Sequence, residues 1–326
     1  MPKNLKIVVV VGFILLIGLL LGLVYLYLLF QPVDQSNLKT QRFVIPKGQT
    51  VKTIGQRLQQ AGLIKNPYVF LLAVQSKDWQ TKLQSGTFEL SPSMSVWQIA
   101  RELTQGTNDL WVTIPEGWRR EELAQSLAEQ DLTHFNEAEF LELTTGLEGQ
   151  LFPDTYLVPK EMSTQTLVNL LLNTFEKKVS QNLASEIEQA DHDLTALLTM
   201  ASIVEREARG QEQMQMVADI LWRRLELGMP LQVDATLQYI KGYHETQQTW
   251  WAPPTAADKK LDSPFNTYLY PGLPPRPICN PGLGAIQAVL SPQANDYLYY
   301  LHDRQGQIHY ATTFEQHQQN INQYLR

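Results

Sequence analysis

Only one cysteine, Cys279, occurs in the 326 residues. No intramolecular disulfide can therefore form, and without a Cys/His cluster no zinc site is expected. The six histidines never pair at ligand spacing on one expected helix, so neither a metal nor any other cofactor is called for. Also missing are a glycine-rich phosphate loop, a G-x-S-x-G elbow and an H-E-x-x-H pair, the usual marks of nucleotide, esterase and zinc-protease chemistry. Positive charge is scarce as well. The 26 Lys+Arg against 33 Asp+Glu leave a net charge of −7, which argues against the basic footprint of a nucleic-acid binder. What remains is a chain 44 % apolar, able to bury a large core, and long enough for about two domains.

The apolar residues are concentrated at one end. Ile7 to Phe30 is free of charge over 24 residues, about 36 Å as a helix, enough to span a bilayer. No small-residue cleavage site follows it, since the run ends Tyr25, Tyr27, Phe30, Gln31, Pro32, so it reads as a retained anchor rather than a signal peptide. Lys3 and Lys6 precede it and hold the amino terminus in the cytoplasm by the positive-inside rule. The expected order is a cytoplasmic tail (1–6), a single transmembrane helix (7–30), a linker (31–41), and an extracytoplasmic remainder on the outer side of the cell membrane.

One pattern then recurs three times: FVIPKGQTVKTIGQRL from Phe43, FELSPSMSVWQIAREL from Phe88 and VTIPEGWRREELAQSL from Val112. Each copy opens with strand-like alternation, turns through Pro, Gly or Ser, and enters a helix with apolar residues four apart (Ile54/Leu58, Ile99/Leu103, Leu123/Leu127). Residues 42–108, holding the first two copies, are either common elements packed together or a small LysM-like glycan-binding subdomain. The pattern alone leaves both open.

From 109 to 326, helical periodicity over Met162–Ile187 and Leu194–Leu227 alternates with a proline-rich stretch, Trp251–Pro281, that must be mostly loop. A hairpin about Asp303–Gly306 and a closing helix over Phe314–Leu325 follow, giving a mixed α+β class. The helix from Leu194, with Asp193 as its N-cap, has only a narrow polar stripe of Thr195, Thr199, Ser202 and Arg206 and is expected to be buried. Glu205 falls beside Leu194, Leu198 and Ala201, and Glu207 beside Ala196, Met200 and Ile203. A carboxyl held against apolar surface keeps its proton to higher pH, as a general acid requires. Either could equally pair with a basic residue, and spacing does not choose between them.

Three segments give the sequence a family likeness: Ala201-Ser202-Ile203-Val204-Glu205-Arg206-Glu207; Leu147-Glu148-Gly149-Gln150-Leu151-Phe152-Pro153-Asp154-Thr155-Tyr156; and Asn266-Thr267-Tyr268 through Asn280-Pro281-Gly282. With Gly228-Met229-Pro230-Leu231-Gln232-Val233-Asp234 and the terminal Tyr297–Tyr300, the chain from about Phe43 onward resembles the MltG (YceG-like) endolytic murein transglycosylases. The short segment Ala208-Arg209-Gly210 departs from them. The resemblance implies a LysM-like region, a catalytic domain over 109–326, and Glu205 as the catalytic glutamate. It implies a lyase that cleaves the β-1,4 bond from N-acetylmuramic acid to N-acetylglucosamine in peptidoglycan, leaves 1,6-anhydro ends and ends the elongation of nascent strands. Its expected partners are glycan strands, the membrane and peptidoglycan synthases.

Further candidates for substrate contact are Glu148, Gln232, Asp234, Asn266 and Tyr268. Glu148 could instead belong to a structural turn capped by Asp154, and Asn266 and Tyr268 could anchor their loop. Trp250 and Trp251 resemble a sugar platform but are read as core. Two other classes of function stay in view. A membrane-anchored muramidase would need a second carboxylate such as Glu148 to activate water, and a glycan-binding scaffold would need no acid.

Overall fold

The computed structural model describes residues 3–106 and 109–325. Met1–Pro2 of the expected tail, and Thr107–Asn108 at the expected end of the first subdomain, lie outside them. The fold is α+β and divides into two compact units, Met1–Trp111 and Val112–Arg326.

In the first unit, α1 (Lys3–Phe30) is followed by β1 (Gln41–Ile45), α2 (Val51–Gln60), α3 (Pro67–Ser76), β2 (Gly86–Leu90) and α4 (Val96–Gln105). From Phe13 to Phe30 no residue of α1 is fully buried, at a mean hydropathy of 2.8, and only Leu29 and Phe30 at its end lean on the unit's core, which fits a segment whose apolar surface meets lipid. β1 and β2 pair antiparallel with Phe43 opposite Phe88, so their alternation turns both rings inward. Ile54, Leu58, Ile99 and Leu103, the four-apart residues of α2 and α4, close the core beneath them. Thr50, Asn66 and Ser95 cap the three short helices, and Ser95 forms a full capping box with Gln98. The helix α3 was not marked by the repeat pattern, because Pro67–Ser76 is apolar nearly all round.

β3 (Asp109–Thr113) carries the division between the units. The second unit continues through α5 (Arg120–Ala128), α6 (Glu137–Leu143), β4 (Thr155–Pro159), α7 (Thr164–Phe175), α8 (Ala184–Gln189), α9 (Leu194–Glu207), α10 (Gln211–Glu226) and α11 (Asp234–Lys241). After the long loop come α12 (Leu283–Leu290), the antiparallel hairpin β5 (Tyr299–His302) with β6 (Ile308–Ala311), and α13 (Phe314–Tyr324). The expected helical stretch 162–187 is interrupted by a π-helical turn at Glu176–Gln181. That over 194–227 is broken at Ala208–Gly210, where Gly210 adopts a positive φ.

The second unit is built around α9. Leu197 to Val204 are all buried, and α10, α11 and α12 pack on it. Each large apolar side chain so buried contributes roughly 1.5–3 kcal/mol. Of the polar stripe of α9, Thr195 is exposed but Thr199 and Ser202 are buried: Ser202 Oγ donates to Thr199 O (2.7 Å) and accepts the Ile278 N–H (3.0 Å). The stripe is thus the seat of the returning 278–282 segment, which explains how a polar face survives inside a core.

Asp193 caps α9 as expected, its carboxylate accepting the Ala196 N–H at 2.7 Å. Asp193→Ala should cost about 1 kcal/mol. In a domain of this size that lowers the thermal midpoint of the full chain in detergent by about 2–4 °C, measurable by circular dichroism.

Candidate active site

The last turn of α9 ends in Glu205, Arg206 and Glu207, all three of which line one cavity of about 390 Å³ together with His302. The partial negative charge of a helix carboxyl end does nothing to favour ionised carboxylates here. Among the described residues neither glutamate forms an ion pair. The salt-bridge alternative for them is therefore not what the structure contains.

Glu205 is half-buried and accepts the Gly282 N–H on Oε2 at 2.9 Å. Its pKa is raised, first by burial and then by the charge of Glu116, against the opposing influence of the Gly282 N–H and Arg206. Two close approaches create this setting. Gly117, at φ +75°, would place a Cβ 3.4 Å from Glu205 Cγ, and a Cβ on Gly282 would overlap the Glu116 carboxylate. The positive φ of Gly117 favours glycine, and a side chain at 282 would displace the Glu116 carboxylate. Arg206 turns away from its neighbour. Its guanidinium lies 3.9 Å over the Trp251 ring, and the Trp251 indole N–H donates to Glu122 at 2.8 Å.

Glu207 belongs to a second cluster. Its Oε2 accepts the Tyr300 hydroxyl at 3.0 Å, and burial, with the Asp234 charge nearby, pushes its pKa up to about 7. Asp234 accepts the Tyr268 hydroxyl at 2.6 Å, while Gln232 accepts from Arg224 at 3.4 Å. Gln232 and Asp234 are exposed and Tyr268 is half-buried; Asp234 and Tyr268 lie within electrostatic reach of Glu207.

The other two lie underneath. Asn266 is wholly buried, and its side chain donates to Leu261 O (2.8 Å) and Lys259 O (3.2 Å) while accepting the Tyr268 N–H (3.0 Å). It closes the loop that presents Tyr268. Glu148 is 3 % exposed, and its Oε1 accepts the Arg120 N–H (3.0 Å) and Asn280 Nδ2–H (2.9 Å). Its pKa is raised to about 8 by burial and by Glu121, so at neutral pH it holds a proton. Asp154 receives Lys178 and the Thr155 N–H instead of capping that turn from a distance. Trp250 and Trp251, read as core, are both half-buried, because Arg119 and Arg206 occupy the ring faces that apolar side chains would otherwise cover.

Asn280 is the functional residue that sequence reasoning quoted without assigning. Fully buried, it accepts the Gly149 and Leu151 N–H groups (both 2.9 Å) on Oδ1 and donates to Trp118 O and Glu148. Its own carbonyl accepts the Gly117 N–H at 2.9 Å. The two backbone segments that touch Glu205 are thereby tied to one side chain. Glu116 was missed outright. Its signal was present in the third repeat, where P-E-G replaces the P-K-G of the first.

Two outcomes follow from these protonation states. If Glu205 is the general acid, it must be protonated to act, and the alkaline limb of kcat/KM against pH should track its pKa. Glu116→Gln removes a charge that raises it, and the limb should move to lower pH, whereas an unmoved limb would separate the two groups. For Glu148, folding raises the pKa above its unfolded value. Its contribution to stability is full below about 4.5 and is lost as pH climbs towards 8, by at most about 1.4 kcal/mol per pH unit. Glu148→Gln, which cannot ionise, should flatten the fall of the thermal midpoint over that window, and Glu148→Ala should destabilise at every pH.

The chain matches the model of the YceG-like family over residues 43–323. It is 30 % identical over 333 residues to the endolytic murein transglycosylase of Streptococcus pneumoniae, an alignment covering 90 % of this chain and 60 % of that one. It is 29 % identical over 337 residues to the endolytic murein transglycosylase of Bacillus subtilis, covering 94 % and 91 %. The chain thus spans about 60 % of the length of the pneumococcal relative. The crystal structure of a yceG-like protein from Listeria monocytogenes superposes with a TM-score of 0.58 at 26 % identity, over 86 % of this chain and 99 % of that one. With a matched model running from the first strand to the last helix, this chain belongs to the YceG-like family.

Proposed function

We propose that the chain is an endolytic murein lytic transglycosylase in which Glu205 is the single acid and base. The observation that carries this reading is the state of Glu205: a half-buried carboxyl, raised in pKa, with one N–H donor and an open cavity beside it. The names of the pneumococcal and Bacillus relatives support it.

In the reaction, Glu205 gives its proton to the oxygen that leaves C1 of the muramoyl residue. The C1–O bond breaks and positive charge develops on the ring. The ionised Glu205 then takes the proton of the C6 hydroxyl as that oxygen closes on C1, which forms the 1,6-anhydro ring and restores the acid. No water enters, and the tethered nucleophile gains an effective molarity that can reach roughly 10⁵ M or more. The Gly282 N–H steadies the carboxylate between the two transfers. Gln232, Asp234 and Tyr268 would present hydrogen-bonding groups to the sugar, with Glu148 and Asn266 acting from beneath through Asn280 and Tyr268. The burial of Glu148 supports this route over hydrolysis, since a carboxyl kept protonated under the surface is poorly placed to activate water.

The first unit fits the same role. Its β1–α2–α3–β2 order, with β1 and β2 antiparallel, supports a LysM-like glycan-binding subdomain. The apolar α1, with Lys3 and Lys6 ahead of the span, would anchor the enzyme by a single pass with its amino terminus in the cytoplasm. The catalytic unit would then meet nascent strands where synthases release them.

The product decides. Purified peptidoglycan should acquire 1,6-anhydromuramoyl ends, about 18 Da lighter than hydrolytic ends because ring closure omits one water. Glu205→Gln should lower their formation by roughly 10² or more. Mass spectrometry of fragments with and without borohydride reduction reads both, and reducible ends would replace this mechanism with a muramidase.

A further inference from the structure

A groove of about 260 Å³ opens between Trp118, Tyr243 and Trp250, with Trp118 next in sequence to the Gly117 that packs on Glu205. We infer that this groove is a subsite for an amino-sugar residue of the glycan strand lying beyond the two residues that flank the cut bond. The inference rests on the glycan-cleaving reading above and extends it to how far the strand is gripped.

The groove is linked to the site through the 117–118 backbone. Trp118 directly follows Gly117, whose α-carbon lies against Glu205. Glu122, on the groove wall, holds the Trp251 indole that carries Arg206. A strand with its scissile bond at Glu205 would pass along the 117–118 turn to reach Trp118. The volume is below the roughly 300–1,000 Å³ of pockets that enclose whole drug-sized ligands, and suits one ring of a longer polymer.

Its chemistry is that of a sugar site. Three half-buried aromatic rings offer faces to the C–H side of a pyranose. Gln125 and Gln248 stand among them and supply both donors and acceptors for hydroxyl and acetamide groups. The rings are held in advance. Buried Arg119 sits 4.3 Å over Tyr239 and 4.8 Å over Trp250, with its Nη1 donating to Tyr239 O at 3.0 Å. Trp118 O accepts both the backbone N–H and Nδ2–H of Asn280, at 2.9 and 3.0 Å. A preorganised platform loses little entropy on binding, and its partial exposure in the free protein is what a ligand would relieve.

The test uses the full chain in detergent with Glu205→Gln, so that strands bind without being cut, and peptide-free glycan strands as the probe. Trp118→Ala and Trp250→Ala, each with its thermal midpoint recorded, should weaken binding about tenfold, and Trp118→Tyr should restore most of it. Should both alanine variants fail to fold, Gln248→Ala at the exposed lip should still weaken binding about threefold. With Glu205 intact, the tryptophan variants should lose more activity on long strands than on a tetrasaccharide. Unchanged strand binding by folded Trp118→Ala, equal losses on long and short substrates, or binding only to peptide-bearing strands would overturn the subsite. If the intact chain makes no anhydro ends while Trp118→Ala still weakens strand binding, the subsite stands and the transglycosylase reading falls.

Discussion

Among the described residues Glu205 receives one hydrogen bond, from the Gly282 N–H, and the segments of the second unit that meet at this carboxyl keep it to that. A carboxylate given two or three N–H donors becomes a strong acid and a weak base, whereas one stripped of donors in an apolar wall never ionises. One donor, partial burial and the Glu116 charge place Glu205 between these limits, where the same group can release a proton and then recover it. Arg206, the adjacent cation that could have collapsed this balance, is engaged by the Trp251 face and the Gly117 carbonyl.

That geometry needs three chain segments far apart in sequence to meet within a hydrogen bond of one another, and Asn280 performs the joining. Its four side-chain hydrogen bonds reach residues 118, 148, 149 and 151, and its backbone pairs with the 117–118 turn. An amide suits the task because it donates and accepts at once. A protonated Glu148 suits it as a partner because no buried charge is created. The proline-rich approach 271–281 restricts the unfolded chain and so lowers the entropic cost of ordering a segment with little secondary structure.

Local pattern made much of this legible. Alternation and four-residue spacing mark the strands and helices of the three repeats, and the Asp193 cap and apolar surround of α9 mark the buried helix. Its carboxyl-terminal carboxylates stood out because charge there has no local excuse. Periodicity could not report pairing across long separations. Nothing in the spacing of Glu116 and Gly282 announces that one lies over the other, since that contact is made by the 278–282 segment docking on Ser202. The same limit explains the tryptophans: their faces are taken by arginines from α9 and from the edge of α5, which no window of sequence around Trp250 contains.

The two glutamates of α9 show how a shared helix end yields two different groups. They are two residues apart and so about 200° apart around the axis, which sends Glu205 to the glycine backbone of the 117 and 282 segments and Glu207 to Tyr300 and the Asp234 side. Glu207 has a hydroxyl donor supported by the Tyr268–Asp234 hydrogen bond nearby, an arrangement that fixes its position more than it frees its proton. Glu205 has the backbone of Gly117 and Gly282 packed closely against it. Close glycine backbone on one side and a tyrosine hydroxyl on the other thus set the two carboxyls of one helix end apart.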